Sequence, residues 1–302
     1  MDEYVISTHG LTKQYARRAV VDNVDLNVKK GEIYGLIGKN GAGKTTIMRM
    51  LLGLALPTGG RVEIFGKPFS TKSLARVGSL IEAPALYTDH TAEENLKRFA
   101  IIKGADPSCI PALLKRVGLS DTGSKKAGQF SLGMRQRLGI AIAMLGKPEL
   151  LILDEPVNGL DPAGMKEVRD LILSLNREEG ITVLISSHLL DELARTVHRY
   201  GIICEGHLVD ELSVEELKER CPRELKIRVD DAARAEALLR EYLGRDASCM
   251  TADGDTLTLR DRLEHSGEMN TLLVKNGITV FALEHFVTGE EDYLVNAMGG
   301  KA

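Results

Sequence analysis

Between Tyr4 and Val28 apolar and polar residues alternate around short turns, a period of two that predicts antiparallel strands leading into the β-rich run EIYGLIG at residues 32–38. From Leu86 to about Gly146 the period turns helical. Thr91-Ala-Glu-Glu94 has the capping-box pattern ahead of ENLKRFAIIKG, and IPALLKRVGL is a second amphipathic stretch, so residues 86–146 read as a helical insertion. Buried-strand text returns at LLILDEP. Asp161-Pro162 then supply an N-cap and first helical residue for a helix through Asn176, and ITVLISS follows as a strand. Strand, helix, strand at this spacing predicts a parallel sheet.

Past about Asp210 a short helix, capped by Ser213-Val-Glu-Glu216, precedes a fresh series: LKIRV, AARAEALLREYL, SCMTA, DTLTLRD, a helix to Lys275, ITVFALEHF and a last helix. That order is βαββαβ. The expected organisation is an α/β domain at 1–210, with a mixed parallel sheet, an antiparallel β subdomain and the helical insertion. A small α+β accessory domain is expected at 211–302.

Composition narrows the classes. With 43% apolar and 27% charged residues the chain is globular rather than disordered, and 39 basic against 43 acidic residues leave no broad basic face for nucleic acid. Cys109, Cys204, Cys221 and Cys249 have no C-x-x-C spacing, so reduced thiols are expected rather than a disulfide frame or zinc site. The start of the chain lacks a signal pattern, and runs such as GIAIAMLG are too short to cross a bilayer. Any action at a membrane therefore calls for another subunit.

Candidate chemistry begins at Gly38-Lys39-Asn40-Gly41-Ala42-Gly43-Lys44-Thr45-Thr46, which fits G-x-x-x-x-G-K-[ST] between a strand and an apolar helical segment. Glycines let the backbone wrap so that N–H groups and a helix N-terminus face β- and γ-phosphates. Lys44 adds a point charge, and the Thr45 hydroxyl is suited to Mg²⁺. The glycine spacing does not make G-x-G-x-x-G, which excludes the dinucleotide-binding pattern.

LLILDEP delivers Asp154 and Glu155 to the carboxyl end of a buried strand, the edge where open α/β sheets bind ligands. Adjacent acids repel unless a cation is near. Asp154 thus reads as a magnesium ligand, through water, and Glu155 as the base for an attacking water; the alternative is that both cap the next turn. His188 follows another buried strand, within reach of a γ-phosphate. In QFSLGMRQR, Ser131 and Gly133 precede a helical run, either an ordinary capped helix or a second anion cradle.

The order of these motifs, from phosphate loop through SLGMRQ, LLILDEP and NGLD to a single histidine, closely resembles the ATP-binding cassette (ABC) ATPases over roughly Tyr4 to Asp210. The resemblance implies an ATP- and Mg²⁺-dependent ATPase in which Ser131, Gly133 and Gln136 complete the nucleotide site of a facing copy, in an ATP-dependent head-to-tail homodimer. It also implies that Tyr15 stacks on adenine, Asp161 crosses the dimer seam, and His188 contacts the γ-phosphate. Where the family usually has glutamine, this chain has Glu82, in SLIEAP. A carboxylate binds metal more strongly but repels the γ-phosphate. That glutamate is similar to the bacitracin-resistance and lantibiotic-immunity subgroup, and the C-terminal segment resembles the extension of cassettes that serve drug and peptide export; together they imply export, an integral-membrane permease as partner and a peripheral position at the cytoplasmic face of the membrane.

Two other classes compete. A cassette acting on nucleic acid or ribosomes usually carries two cassettes or a long coiled-coil insertion, and the interval from Lys44 to Ser131 has no room for one. A non-hydrolysing regulator would lack the base or the histidine, yet Glu155 and His188 are both present.

Overall fold

The structure is a computed structural model that describes residues 4–188, 196–221, 223–244, 250–260, 262–287 and 293. Cys249 lies outside the described residues, as does the expected last helix apart from Tyr293. Two compact units divide at Val214 and Glu215 rather than at Asp210.

In the first unit, β1 (Tyr4–Tyr15), β2 (Arg18–Val24), β3 (Asn27–Lys29), β5 (Gly59–Ile64) and β6 (Lys67–Pro68) make an antiparallel sheet in the order β2-β1-β5-β6, with β3 also on β1. Its apolar face, including Ile6, Leu11, Val21 and Val62, packs with Ile47, Met48 and Leu51 of α1 (Lys44–Leu51). The second sheet contains β4 (Ile33–Ile37), β7 (Val77–Leu80), β8 (Leu150–Asp154), β9 (Thr182–Ser187), β10 (Arg199–Cys204) and β11 (His207–Ser213), ordered β11-β10-β4-β9-β8-β7. All neighbours are parallel except β10 and β11. Every residue of β4, β8 and β9 is buried, which explains the apolar runs within them, with the polar residues of β8 and β9 at strand ends.

Register sets up the site. Ile37 lies opposite Ser187, Ser186 opposite Asp154, and Leu153 opposite Leu80, so four strands end on one edge. The loops leaving it begin at Gly38, Glu155, His188 and Ile81.

The insertion comprises α2 (Ala92–Lys103), α3 (Ile110–Arg116) and α4 (Leu132–Met144). Both halves of the expected capping box form at Thr91 and Glu94. Helix α4 lies tight on β7: a β-carbon at Gly78 would be 2.4 Å from the Ala143 carbonyl oxygen, and one at Gly139 would be 2.9 Å from Pro84 Cβ. Helix α5 (Pro162–Glu179) starts at the expected N-cap Asp161 but runs past Asn176. The Asn176 amide does not stop it; buried, it donates to the Gly31 and Ile181 carbonyls at 2.9 and 2.8 Å, and left-handed Gly180 ends the helix. Strands β5 and β7 went unannounced because β5 opens on two glycines with one face exposed and β7 spans only four residues.

Helix α6 (Val214–Arg220) begins at the division. The second unit then runs β12 (Arg223–Val229), α7 (Ala232–Leu243), β13 (Met250–Asp253), β14 (Thr256–Leu259), α8 (Ser266–Lys275) and β15 (Val280–Val287). Its antiparallel order, β13-β14-β12-β15, is a split βαβ arrangement. Leu225, Ile227, Leu257 and Leu259 meet Leu239, Met269 and Leu273 of the helices. Among the described residues no helix is long and apolar enough to cross a membrane.

Candidate functional site

Strand β4 feeds directly into the glycine loop. Gly41 and Gly43 have φ of 81° and 112°, a region costly for any residue with a β-carbon. Space is equally restrictive, because a β-carbon at Gly43 would lie 2.7 Å from the Val20 carbonyl oxygen and one at Gly38 2.5 Å from that of Ile203. Ala42 is buried in the core, Lys39 and Asn40 are exposed, and Thr46 is half-buried in α1. Helix α1 starts without a side-chain cap and without an acid in its first turn. Its first N–H groups and positive end therefore face the loop with no internal anion.

Lys44 is only 4% exposed. Its ammonium donates to the carbonyls of Gly38 (2.7 Å) and Lys39 (3.3 Å) and lies 3.4 Å from Glu155 Oε1. A glycine-built turn, an uncapped helix and a buried cation together fit a polyphosphate. A cavity of about 790 Å³ adjoins the loop, lined by Lys39, Asn40, Val20 and Cys204 among others.

Beside the loop the carboxylates form a linked set. Thr45 Oγ1 donates to Asp154 Oδ2 at 2.9 Å, while Ser186 Oγ donates to Asp154 Oδ1 at 2.6 Å and accepts from the Glu155 backbone N–H at 2.9 Å. A hydroxyl against a buried carboxylate is a hard-oxygen donor set, the kind Mg²⁺ takes. Glu155 has φ of 45°. Its Oε2 accepts from Asn158 Nδ2 at 2.9 Å, with His188 Nδ1 also at 2.9 Å. The carboxylate is thus pinned by an ammonium on one oxygen and by an amide and an imidazole on the other, an arrangement that aims a proton acceptor without burying it.

Glu82 stands just past β7, with φ of 59°, and pairs with the Arg49 guanidinium of α1. Tyr15 ends β1, about half exposed, with Lys13 Nζ 5.0 Å from its ring centroid. Ser131 and Asp161 are exposed N-caps of α4 and α5, accepting from Met134 N–H and Gly164 N–H at 3.2 Å. The two helix starts touch: a β-carbon on Gly133 would lie 3.7 Å from Gly164 Cα. Gln136 is buried, and its Oε1 has no partner among the described residues.

One chain thus joins Lys44, Thr45, Asp154, Glu155 and His188 by hydrogen bonds and an ion pair; Ser131 and Asp161 are engaged only with their own helices. Ser186, Asn158 and Arg49 were not singled out from sequence. Ser186 sits two places before His188 in LISSH and Asn158 three places from both Glu155 and Asp161, opening NGLD, which was their only signal. A larger cavity, about 1120 Å³, opens at the opposite edge of the six-stranded sheet near Phe65, Arg76 and Arg116, and none of the expected site residues line it.

The profile of the ABC transporter family matches residues 21–158. The chain is 45% identical to the bacitracin transport ATP-binding protein BcrA of Bacillus licheniformis, over 98% of each chain. It is 44% identical to the lantibiotic transport ATP-binding protein SrtF of Streptococcus pyogenes, over 68% of this chain and 89% of that protein. Among solved structures, an ATP-binding cassette in a dimeric post-hydrolysis state bound to ADP and Pi matches with a TM-score of 0.62 and 27% identity, over 69% of this chain and 98% of that one.

Proposed function

The chain belongs to the ABC transporter ATP-binding family, and from that premise we propose that it drives export of an antimicrobial peptide or drug of the bacitracin or lantibiotic kind through a separate integral-membrane permease. As a cassette ATPase it binds ATP and hydrolyses it.

In the proposed mechanism the loop from Gly38 to Thr46 cradles the phosphates, Lys44 neutralises them, and Tyr15 stacks on the adenine. Thr45 and Asp154, with Glu82 alongside, would hold Mg²⁺, which would supply charge neutralisation at the phosphates. Glu155 accepts the proton of the attacking water, its carboxylate aimed by Asn158 and His188; His188 also reaches the γ-phosphate. Ser131, Gly133, Gln136 and Asp161 serve the nucleotide of a facing copy, head to tail. Supporting this, the helix starts that carry Ser131 and Asp161 are adjacent and exposed, while neither residue joins the chain's own phosphate site. The first unit is the nucleotide-binding domain and the second an accessory domain, and the assembly works at the cytoplasmic face of the membrane.

The observation that carries the proposal is the linked set of Lys44, Thr45, Asp154, Glu155 and His188 on one sheet edge, in a chain related end to end to a bacitracin transport ATPase. Glu155→Gln is expected to keep ATP binding and slow hydrolysis about 100-fold or more. In a host strain lacking the gene, the wild-type chain should restore growth in bacitracin or a lantibiotic and Glu155→Gln should not. Equal growth with both would overturn the export reading.

A further inference from the structure

Glu82 and Arg49 are brought together by two different elements. On α1, Thr45 and Arg49 are four residues apart and share a face; Thr45 bonds Asp154, and Arg49 pairs with Glu82. On the sheet, the pairing of Leu80 with Leu153 carries the chain from Ile81 to Glu82 past the edge beside Asp154 and Glu155. The backbone there has little freedom. Helix α4 clamps the segment, since a β-carbon at Gly139 would be 3.0 Å from Leu80 Cδ1 and 2.9 Å from Pro84 Cβ.

Within that clamp Glu82 adopts φ of 59°, a left-handed conformation that a residue with a β-carbon enters only at a cost. The ion pair is not adequate compensation, because its side chains are 40% and 63% exposed and such pairs contribute little to stability. A strained backbone and an exposed pair that persist at the rim of an anion site point to function rather than stability.

Electrostatics supplies the function. Two carboxylates already stand at this edge, Glu155 paired with the buried Lys44 ammonium and Asp154 bonded to the Thr45 hydroxyl. A third carboxylate at this edge repels a polyphosphate unless it has a cation of its own; a neutral amide in its place would need none. We propose that Arg49 is the counter-ion that makes a carboxylate tolerable at position 82, so that Arg49 and Glu82 act as one unit in setting the affinity for Mg-ATP. Arg49 is a positioning residue in this scheme, acting through Glu82. The inference rests on the phosphate-loop reading above.

The test is a double-mutant cycle in the full-length protein, read as Mg-ATP affinity by displacement of a fluorescent ATP analogue. Arg49→Met should weaken binding about tenfold, and Arg49→Lys should recover most of it. In the Glu82→Gln background, measured against that variant's own affinity, Arg49→Met should cost nothing more. That coupling of about tenfold corresponds to about 1.4 kcal/mol. An equal loss on removing Arg49 in both backgrounds, or no loss in either, overturns the pairing. Lys44→Ala separates the two readings: it should abolish binding, and if it binds as the wild type does, the phosphate-loop reading fails. Circular dichroism of each variant excludes unfolding as the cause.

Discussion

Glu82 and Glu155 both take a left-handed backbone that glycine alone adopts without cost, and both stand where a strand of the parallel sheet ends. Neither conformation was legible in the sequence, because residue type carried the chemical role and concealed the geometry. The charges themselves were legible: a glycine loop with lysine and threonine, and two acids after four apolar residues, identify themselves by spacing. Ser186 was not, since a serine in a buried strand looks like filler. It nonetheless ties the site together, orienting Asp154 and satisfying the Glu155 N–H. Ser186→Ala should lower stability by about 1–3 kcal/mol, because it leaves a buried carboxylate and an N–H short of a partner. It should also weaken the Mg²⁺ dependence of nucleotide binding. Denaturant unfolding and Mg²⁺ titration check both effects, and an unchanged midpoint would show that another group serves those atoms.

At the scale of elements, the helical insertion was readable from its caps, and its attachment to the core was not. Thr91 and Glu94 exchange hydrogen bonds at the start of α2, the Thr91 N–H donating to Glu94 Oε2 at 2.7 Å. That backbone N–H, and then the Thr91 side chain, hold the Glu94 carboxyl below its ordinary value of 4.5. Its support for the helix is therefore present above pH 4.5 and fades as pH falls through the lower folded value. Thr91→Ala should destabilise α2 by about 1 kcal/mol, seen as faster amide exchange in the helix. A Glu94→Gln chain should differ from wild type at neutral pH and converge with it in acid; a pH-independent difference would contradict the cap assignment. The attachment of α4 to β7 depends on Gly78 and Gly139, single glycines in apolar runs with nothing in the text to mark a close approach. Through that contact the helix capped by Ser131 and the segment carrying Glu82 form one packed body.

For the whole molecule, long periodic runs announced the helices and the strands β4, β8 and β9, and the described elements of the second unit in order, while β10 and β11 of the six-stranded sheet were not read from the sequence. It was less informative where strands are short or glycine-led, as in β5 and β7. Its limit for the site is physical: each chain links Lys44, Thr45, Asp154, Glu155 and His188 on one edge, yet its exposed Ser131 and Asp161 cap their own helices. The central claim is that those outward residues complete the site of a second copy. The most direct measurement mixes two inactive variants, Lys44→Ala and Ser131→Arg, and follows phosphate release. Each alone should be inactive, and an equal mixture should recover about a quarter of the wild-type rate, since half of random pairs carry one intact composite site. Wild-type hydrolysis by Ser131→Arg alone, or no recovery at any mixing ratio, would contradict the shared site.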